Sequence, residues 1–140
     1  MTQVRDTVGG RVALWTQGVL LVAYLIGGFG VLVLAVVQTG DAGALLDPGL
    51  DRLGDPKDSM PGGVGNPLTW IVGICRLVAM LVYPVAFAAL MLGVAGIAGA
   101  RRVADRKALR WGFALTAVWV LLLVLALTPY GRQMNTWLLD

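Results

Sequence analysis

Four aspartates in a Gly- and Pro-rich segment have the spacing that comes closest to a metal site. They imitate the ligand positions of some calcium loops and are Asp47, Asp51, Asp55 and Asp58. However, Gly49 replaces the usual third-position ligand, and Arg52 stands where such a loop requires glycine. Asp58 is also shorter than the bidentate glutamate that closes a calcium loop. The sequence therefore predicts no metal site, but a solvated loop that becomes ordered against a partner.

The residue types that are absent restrict the chemistry further. The chain has no His, and all eight acidic residues are Asp, so His-based general bases and Glu proton relays are excluded. A single cysteine, Cys75, excludes an internal disulfide and a multi-thiolate metal site. The long apolar runs contain no carboxylate, which an ion pump would require. We therefore expect no enzyme activity, no catalytic residue and no bound cofactor.

The elements that position the remaining polar residues are long apolar helices. Of the 140 residues, 58% are hydrophobic and 14% are charged, a balance that one water-soluble core cannot hide. The uncharged run at 12–37 corresponds to about 39 Å of helix, more than a hydrocarbon core of roughly 30 Å. We predict an all-α integral membrane protein that forms a single membrane domain over 1–140. Its predicted parts are spans at about 12–37, 77–100 and 109–128, an outer connector at 38–67, a cytoplasmic turn at 101–110 and a short interfacial C-terminal tail.

Charge in the connecting segments predicts the orientation, because Lys and Arg are retained on the cytoplasmic side. The turn at 101–110 carries five basic residues and one Asp, whereas the connector at 38–67 carries five Asp and two basic residues. The N-terminus is therefore expected in the cytoplasm and the C-terminus outside. Arg outnumbers Lys nine to two, as expected of a GC-rich bacterial genome, so we expect a multi-pass protein of the bacterial cytoplasmic membrane.

The basic turn also predicts contact with anionic phospholipid, because each charge near an anionic leaflet gains about 1 kcal/mol. The residues concerned are Arg101, Arg102, Arg106, Lys107 and Arg110. Nothing aromatic or Gly-rich in the turn favours recognition of phosphate or bases. We expect the lipid bilayer as a partner and no nucleic acid.

Small residues at helical spacing predict where the helices pack closely, since lipid provides no hydrophobic drive for their association. In the second span they form a stripe that consists of Ala79, Ala86, Ala89, Gly93, Gly96 and Ala100. In the first span, Gly27 and Gly30 have the corresponding spacing. The stripe has two interpretations, namely packing within the chain or docking of another subunit. Pro84 should kink the second span, because it removes the hydrogen bond to the carbonyl of Met80.

Three further features leave alternatives open. Arg76 lies at the end of a span, where it either extends its charged head to the outer interface or forms an ion pair that fixes register. The tail after Thr128 is expected to lie along the outer interface, held by Trp137 and Leu138. The small residues at 42–44 resemble a signal-peptide cleavage site, but the preceding apolar run is longer than a signal core, so we expect the first helix to be retained.

The chain is a small helical bundle with a stripe of small residues and without reactive groups in its spans. These features favour a non-catalytic accessory or structural subunit of a larger bacterial membrane complex. It would pack against other integral membrane subunits through its helix faces. The alternative is a self-assembling protein. The layout of residues 61–128, two apolar helices joined by a basic turn, resembles the conjugative pilins of type IV secretion systems. That resemblance implies a cleaved leader and helices stacked into a tube. A holin-type pore former is the third class.

Overall fold

The computed structural model describes residues 2–60, 62–63 and 65–140, with side chains described from Val8 onward. Its regular elements are all helical, and no strand occurs within these ranges. The elements are α1 (Thr2–Leu25), a π-helical turn (Ile26–Gly30), α2 (Val31–Thr39), a 3₁₀ turn (Ala42–Leu45), α3 (Leu50–Leu53), α4 (Pro67–Met80), α5 (Val82–Arg102), α6 (Arg106–Leu127) and α7 (Pro129–Leu139).

Three helical stretches among the described residues are long and apolar enough to cross a membrane. They are Val8–Thr39, Val82–Arg102 and Arg106–Leu127. The first stretch includes the π turn. Over its five residues the hydrogen bonds join residues five apart instead of four, and the helix continues on both sides. The three stretches fit a multi-pass membrane protein, which is the class that the sequence predicts. The second begins at Val82 rather than at the predicted residue 77.

The chain before Val82 forms a separate helix, α4, instead of the start of the second span. The α4 helix begins with the Asn66 side chain accepting a hydrogen bond from the Leu68 amide at 3.0 Å, and Pro67 occupies its first turn. It ends at Leu81, whose φ and ψ are −91° and 35°. Pro84 explains the break, since its ring crowds the carbonyl four residues earlier and it has no N–H to donate. The predicted kink is therefore a complete interruption of the helix.

Two compact units divide the chain. The first contains residues up to Leu21 together with Tyr83–Leu123. In it, glycines allow α1 to approach α5: a Cβ atom at Gly96 would lie 3.0 Å from a methyl carbon of Leu14, and one at Gly10 would lie 3.7 Å from the carbonyl oxygen of Gly96. Close approach of this kind is the usual basis of helix association in lipid.

The second unit contains Val22–Val82 and Val124–Asp140. The connector lies here, and two glycines with positive φ shape it: Gly40 at 72° ends α2, and Gly54 at 68° ends α3. The connector is ordered by its own chain, because the Trp137 indole of α7 donates a hydrogen bond to the Gly54 carbonyl at 3.0 Å. The sequence predicted ordering against a partner instead.

The C-terminal tail also differs from its prediction. It forms α7, in which Gly131, Met134, Trp137 and Leu138 are buried. The Thr128 side chain caps the helix by accepting a hydrogen bond from the Gly131 amide at 3.2 Å. Trp137 and Leu138 therefore anchor the tail in the protein rather than in a lipid interface. The tail is amphipathic, and an amphipathic helix can bury its apolar face either in a protein or in a lipid interface. The pattern alone therefore did not distinguish the two.

Candidate functional site

The second unit contains a buried arginine that bonds to the end of a helix. Arg76 lies on the inner face of α4 and is only 6% exposed. Its Nε and Nη2 atoms donate hydrogen bonds to the Leu138 carbonyl oxygen at 3.1 and 2.6 Å. The last carbonyl groups of a helix receive no hydrogen bond from within the helix, and they carry partial negative charge. A guanidinium group at this end therefore donates the missing hydrogen bonds and interacts favourably with the helix dipole.

This arrangement corrects the expectation for Arg76. Its charged head does not reach a solvated interface, and its hydrogen bonds go to a main-chain oxygen rather than to an Asp of the connector. Arg76 instead joins α4 to α7 of the same chain through these hydrogen bonds. The sequence could not show this, because the partner is a main-chain atom that every residue has.

A second cation lies at the same end of α7. The Lys57 ammonium donates a hydrogen bond to the main-chain oxygen of Asp140 at 2.6 Å and forms an ion pair with Asp55 at 3.4 Å. The Lys57 amide donates to the Asp55 carboxylate at 2.8 Å, and this hydrogen bond is the main reason that the pKa of Asp55 lies below its ordinary value. The positive charges of Lys57 and Arg76 lower the pKa of Asp55 further. Two cations, Arg76 and Lys57, therefore bond to main-chain oxygens at the end of α7.

Two more contacts hold α7 against the connector. The Tyr130 hydroxyl donates a hydrogen bond to the Leu45 carbonyl at 2.9 Å, and the Gln133 amide donates to the Asp47 carboxylate. Partial burial of Tyr130 raises the pKa of its hydroxyl above the ordinary 10.0. Tyr130 therefore remains a hydrogen-bond donor throughout the physiological range. Two of the four aspartates that imitate a calcium loop, Asp47 and Asp55, serve here as acceptors for groups of the same chain.

The first unit contains a polar cluster inside the apolar helices. Gln17 of α1 is 0% exposed, and its amide nitrogen donates to the Thr116 hydroxyl of α6 at 3.3 Å. The main-chain oxygen of Gln17 accepts a hydrogen bond from the Trp119 indole at 3.3 Å. Gly93 of α5 makes the space, since a Cβ atom there would overlap the Thr116 hydroxyl. Two hydrogen bonds thus join α1 to α6 beside Gly93 of α5, and interhelical hydrogen bonds of this kind strengthen packing in lipid.

Sequence reasoning missed this cluster, although its members were visible. Gln17 is a polar side chain in the uncharged run at 12–37, and Trp119 lies in the middle of a predicted span rather than at an interface. Both are unusual positions in a membrane helix. The Gln17 Oε1 atom is buried without a hydrogen-bond partner in the part of the chain that the structure describes. Such a cluster positions helices and presents no reactive group to a substrate.

The small-residue stripe is buried by the chain itself. All six members, Ala79, Ala86, Ala89, Gly93, Gly96 and Ala100, are buried. Ala79 belongs to the second unit, where its Cβ would be 3.7 Å from a Cβ at Gly28. The remaining five belong to the first unit. Of the two interpretations, the structure matches packing within the chain along the whole stripe.

The two glycines predicted in the first span have different environments. Gly27 is buried against α4, and a Cβ atom there would overlap the Cys75 carbonyl. At Gly30 the nearest atoms to a Cβ belong to Leu25 and Ile26, which precede it in the same helical stretch, so Gly30 makes no close approach to another helix. Gly28 makes a close approach instead, since a Cβ atom there would lie 3.3 Å from the Met134 methyl carbon. The π turn contains an extra residue per turn and so shifts the packing face by one position.

The predicted lipid-contact residues all lie at or beside the turn between α5 and α6. The five basic side chains are exposed. The Arg101 guanidinium carbon lies 5.7 Å from the centre of the Phe113 ring, a cation–π contact across the helix pair. Asp105 pairs with Arg11 of α1 at 3.9 Å. The turn therefore presents its positive charge outward.

The comparison with known proteins adds no relative. No family model, curated protein or solved structure matches this chain.

Proposed function

We propose that the protein is a non-catalytic accessory subunit of a larger complex in the bacterial cytoplasmic membrane. In this proposal its N-terminus is cytoplasmic and its C-terminus is outside. Its polar side chains within the helices position those helices, as the Gln17 and Arg76 hydrogen bonds do. Its role is to cover and stabilise neighbouring membrane subunits.

The observation that carries this proposal is the outer face of α4. Ile71, Ile74 and Leu77 form an exposed row there, which we call the α4 ridge, while Cys75, Arg76 and Ala79 are buried on the opposite face. The helix has 14 residues, or about 21 Å, less than the roughly 30 Å of a hydrocarbon core. An apolar helix that is too short to span a membrane, and fixed by a buried arginine, is suited to pack against another membrane protein.

Purification of the tagged chain from its native host in mild detergent tests the proposal. We expect unrelated membrane subunits to co-elute in a fixed ratio, as measured by intact mass and peptide identification. Ile74→Gln should abolish this co-elution, because it places an amide in the α4 ridge. Met91→Gln is the matched control, since Met91 of α5 is 61% exposed and Ile74 is 60% exposed. Equal loss in both variants, or a chain that elutes alone, would contradict the proposal.

The self-assembling alternatives make a different prediction in the same experiment. A pilin-like subunit would arrive as a homopolymer that begins near Leu45, and a holin-type protein would permeabilise cells abruptly on overexpression. The contacts of Gly10, Leu14 and Gln17 with α5 and α6 support the accessory role, because loss of the first helix would remove all of them.

A further inference from the structure

An apolar groove runs along the surface of the first unit between α5 and α6. It has a volume of about 930 Å³, within the range of small-molecule sites. Its walls are formed by large apolar side chains, and Ala98 and Ala117 leave the space between them. The groove is lined by the described residues Val94, Ile97, Ala98, Arg101, Phe113, Thr116, Ala117, Val120 and Leu121.

One end of the groove is basic and the rest is uncharged. Arg101 lines that end, and its guanidinium is held over the Phe113 ring rather than extended away from the helix pair. Arg106 and Arg110 precede Phe113 and Ala117 at spacings of three and four residues, so they share the same face of α6. A ligand in the groove therefore meets an apolar slot with positive charge at the turn end only.

We propose that this groove binds one molecule of an anionic phospholipid. One acyl chain lies in the slot between Ala98 and Ala117, and the phosphate accepts hydrogen bonds from Arg101. Guanidinium groups bind phosphate oxygens in a bidentate manner, which a point charge does not. The proposal rests on the membrane location proposed above, but not on the presence of partner subunits.

The charge of the groove favours a lipid over a partner helix. Arg101 lines one end of the groove, and the other lining residues are uncharged. An anionic phospholipid carries its charge in a headgroup at one end of apolar chains, so its charge distribution matches that of the groove. A transmembrane helix of a partner would not require an arginine at one end of the slot.

Native mass spectrometry of the full chain, produced without its native partners, tests the site. The purified protein in detergent is mixed with either phosphatidylglycerol or phosphatidylcholine, and the bound lipid is counted after the detergent is removed in the gas phase. We expect one retained phosphatidylglycerol, and about tenfold less retention of the zwitterionic lipid, which corresponds to the loss of one charge-assisted interaction.

Two matched pairs of variants locate the lipid. Arg101→Gln should lower phosphatidylglycerol retention about tenfold, whereas Arg102→Gln, which removes the adjacent exposed charge outside the groove, should leave it unchanged. Ala117→Leu should fill the slot and lower retention of both lipids. Ala114→Leu adds the same volume at an exposed position of α6 outside the groove and should have no effect. Helical content by circular dichroism must be equal in all four variants.

Three results would overturn the proposal. Equal retention of both lipids would show a non-selective lipid shell, and equal losses in Arg101→Gln and Arg102→Gln would show attraction by net charge alone. A change in the number of protein chains per particle in Ala117→Leu would show that a second copy fills the groove. Absence of co-eluting subunits in native membranes would refute the accessory role and leave the lipid result unaffected.

Discussion

At the scale of single residues, the closest approach in the second unit occurs at Gly27. The π turn lies so near to α4 that a Cβ atom at Gly27 would overlap the Cys75 carbonyl and approach the Arg76 amide. These are main-chain atoms, which cannot move aside as the end of a flexible side chain can. Gly73 of α4 provides the contrast, because a Cβ atom there has no other group within 4 Å.

We predict that Gly27→Ala destabilises the protein by about 3 kcal/mol, because α4 would have to move away from the π turn. Gly73→Ala should leave stability unchanged or raise it by up to about 1 kcal/mol, since alanine favours helix. Reversible unfolding in mixed micelles, followed by circular dichroism, measures both values. Similar stability of the two variants would show that the approach at Gly27 is not tight.

The sequence predicts Gly27 and Gly30 as packing residues. The structure places Gly27 against α4, whereas a Cβ atom at Gly30 would contact preceding residues of its own helical stretch. A regular helix predicts partners at spacings of three and four, and the π turn breaks that spacing. Nothing in the five residues at 26–30 reports a π turn, because it depends on the contacts that surround it. The Gln17–Thr116 hydrogen bond also depends on tertiary contacts, because it joins residues far apart in sequence. The sequence alone therefore did not predict it.

At the scale of elements, two cations from earlier in the sequence bind the C-terminal end of α7. Arg76 satisfies the Leu138 carbonyl, and Lys57 satisfies the Asp140 oxygen. Leu138 is itself buried, so its carbonyl would have no water to replace the guanidinium. The C-terminal end of α7 is therefore held in part by one arginine of α4.

We expect Arg76→Met to loosen the end of α7. Methionine retains much of the apolar stem but donates no hydrogen bond, and loss of a hydrogen bond to a charged group costs about 2 kcal/mol. Amide hydrogen exchange over 129–139 should accelerate about 30-fold, whereas exchange in α6 should not change. Arg52→Met is the control, because Arg52 is an exposed connector residue with ion pairs at 3.9 Å. Unchanged exchange in α7 would show that its burial alone holds it.

The sequence predicted the three long helices because an uncharged apolar run of that length has few other interpretations. It did not predict α4 as a separate helix, since the apolar pattern continues from Pro67 to Ala100 apart from Arg76. Pro84 was the available indicator and was interpreted as a kink. The docking of α7 could not be predicted, because an amphipathic helix reveals that it has an apolar partner but not which one.

At the scale of the whole molecule, charge is separated along the sequence. The connector contains five of the eight Asp residues, and the α5–α6 turn contains five of the eleven basic residues. Both segments are exposed for most of their length. If the three apolar helices cross the bilayer, these two segments lie on opposite sides, and the basic one is retained in the cytoplasm.

Cysteine labelling in intact cells measures this orientation. In a Cys75→Ala background, we expect Ala42→Cys in the connector to react with a membrane-impermeant maleimide in intact cells. Lys107→Cys in the turn should react only after permeabilisation. Both positions are exposed, so a difference in labelling reports sidedness and not burial. The reverse pattern would refute the orientation, and equal labelling of both would refute the membrane crossing.

The burial of the small-residue stripe has a consequence for any membrane helix that packs against the exposed surface of this protein. Every Ala and Gly of that stripe already contacts its own chain, and the α4 ridge consists of Ile and Leu side chains. Ridges of large side chains need grooves, and grooves on a helix form where its residues are small. If the proposed accessory role is correct, we expect the neighbouring membrane helix to carry an uncovered Gly/Ala row about 10 Å long, roughly two helical turns, that complements the α4 ridge.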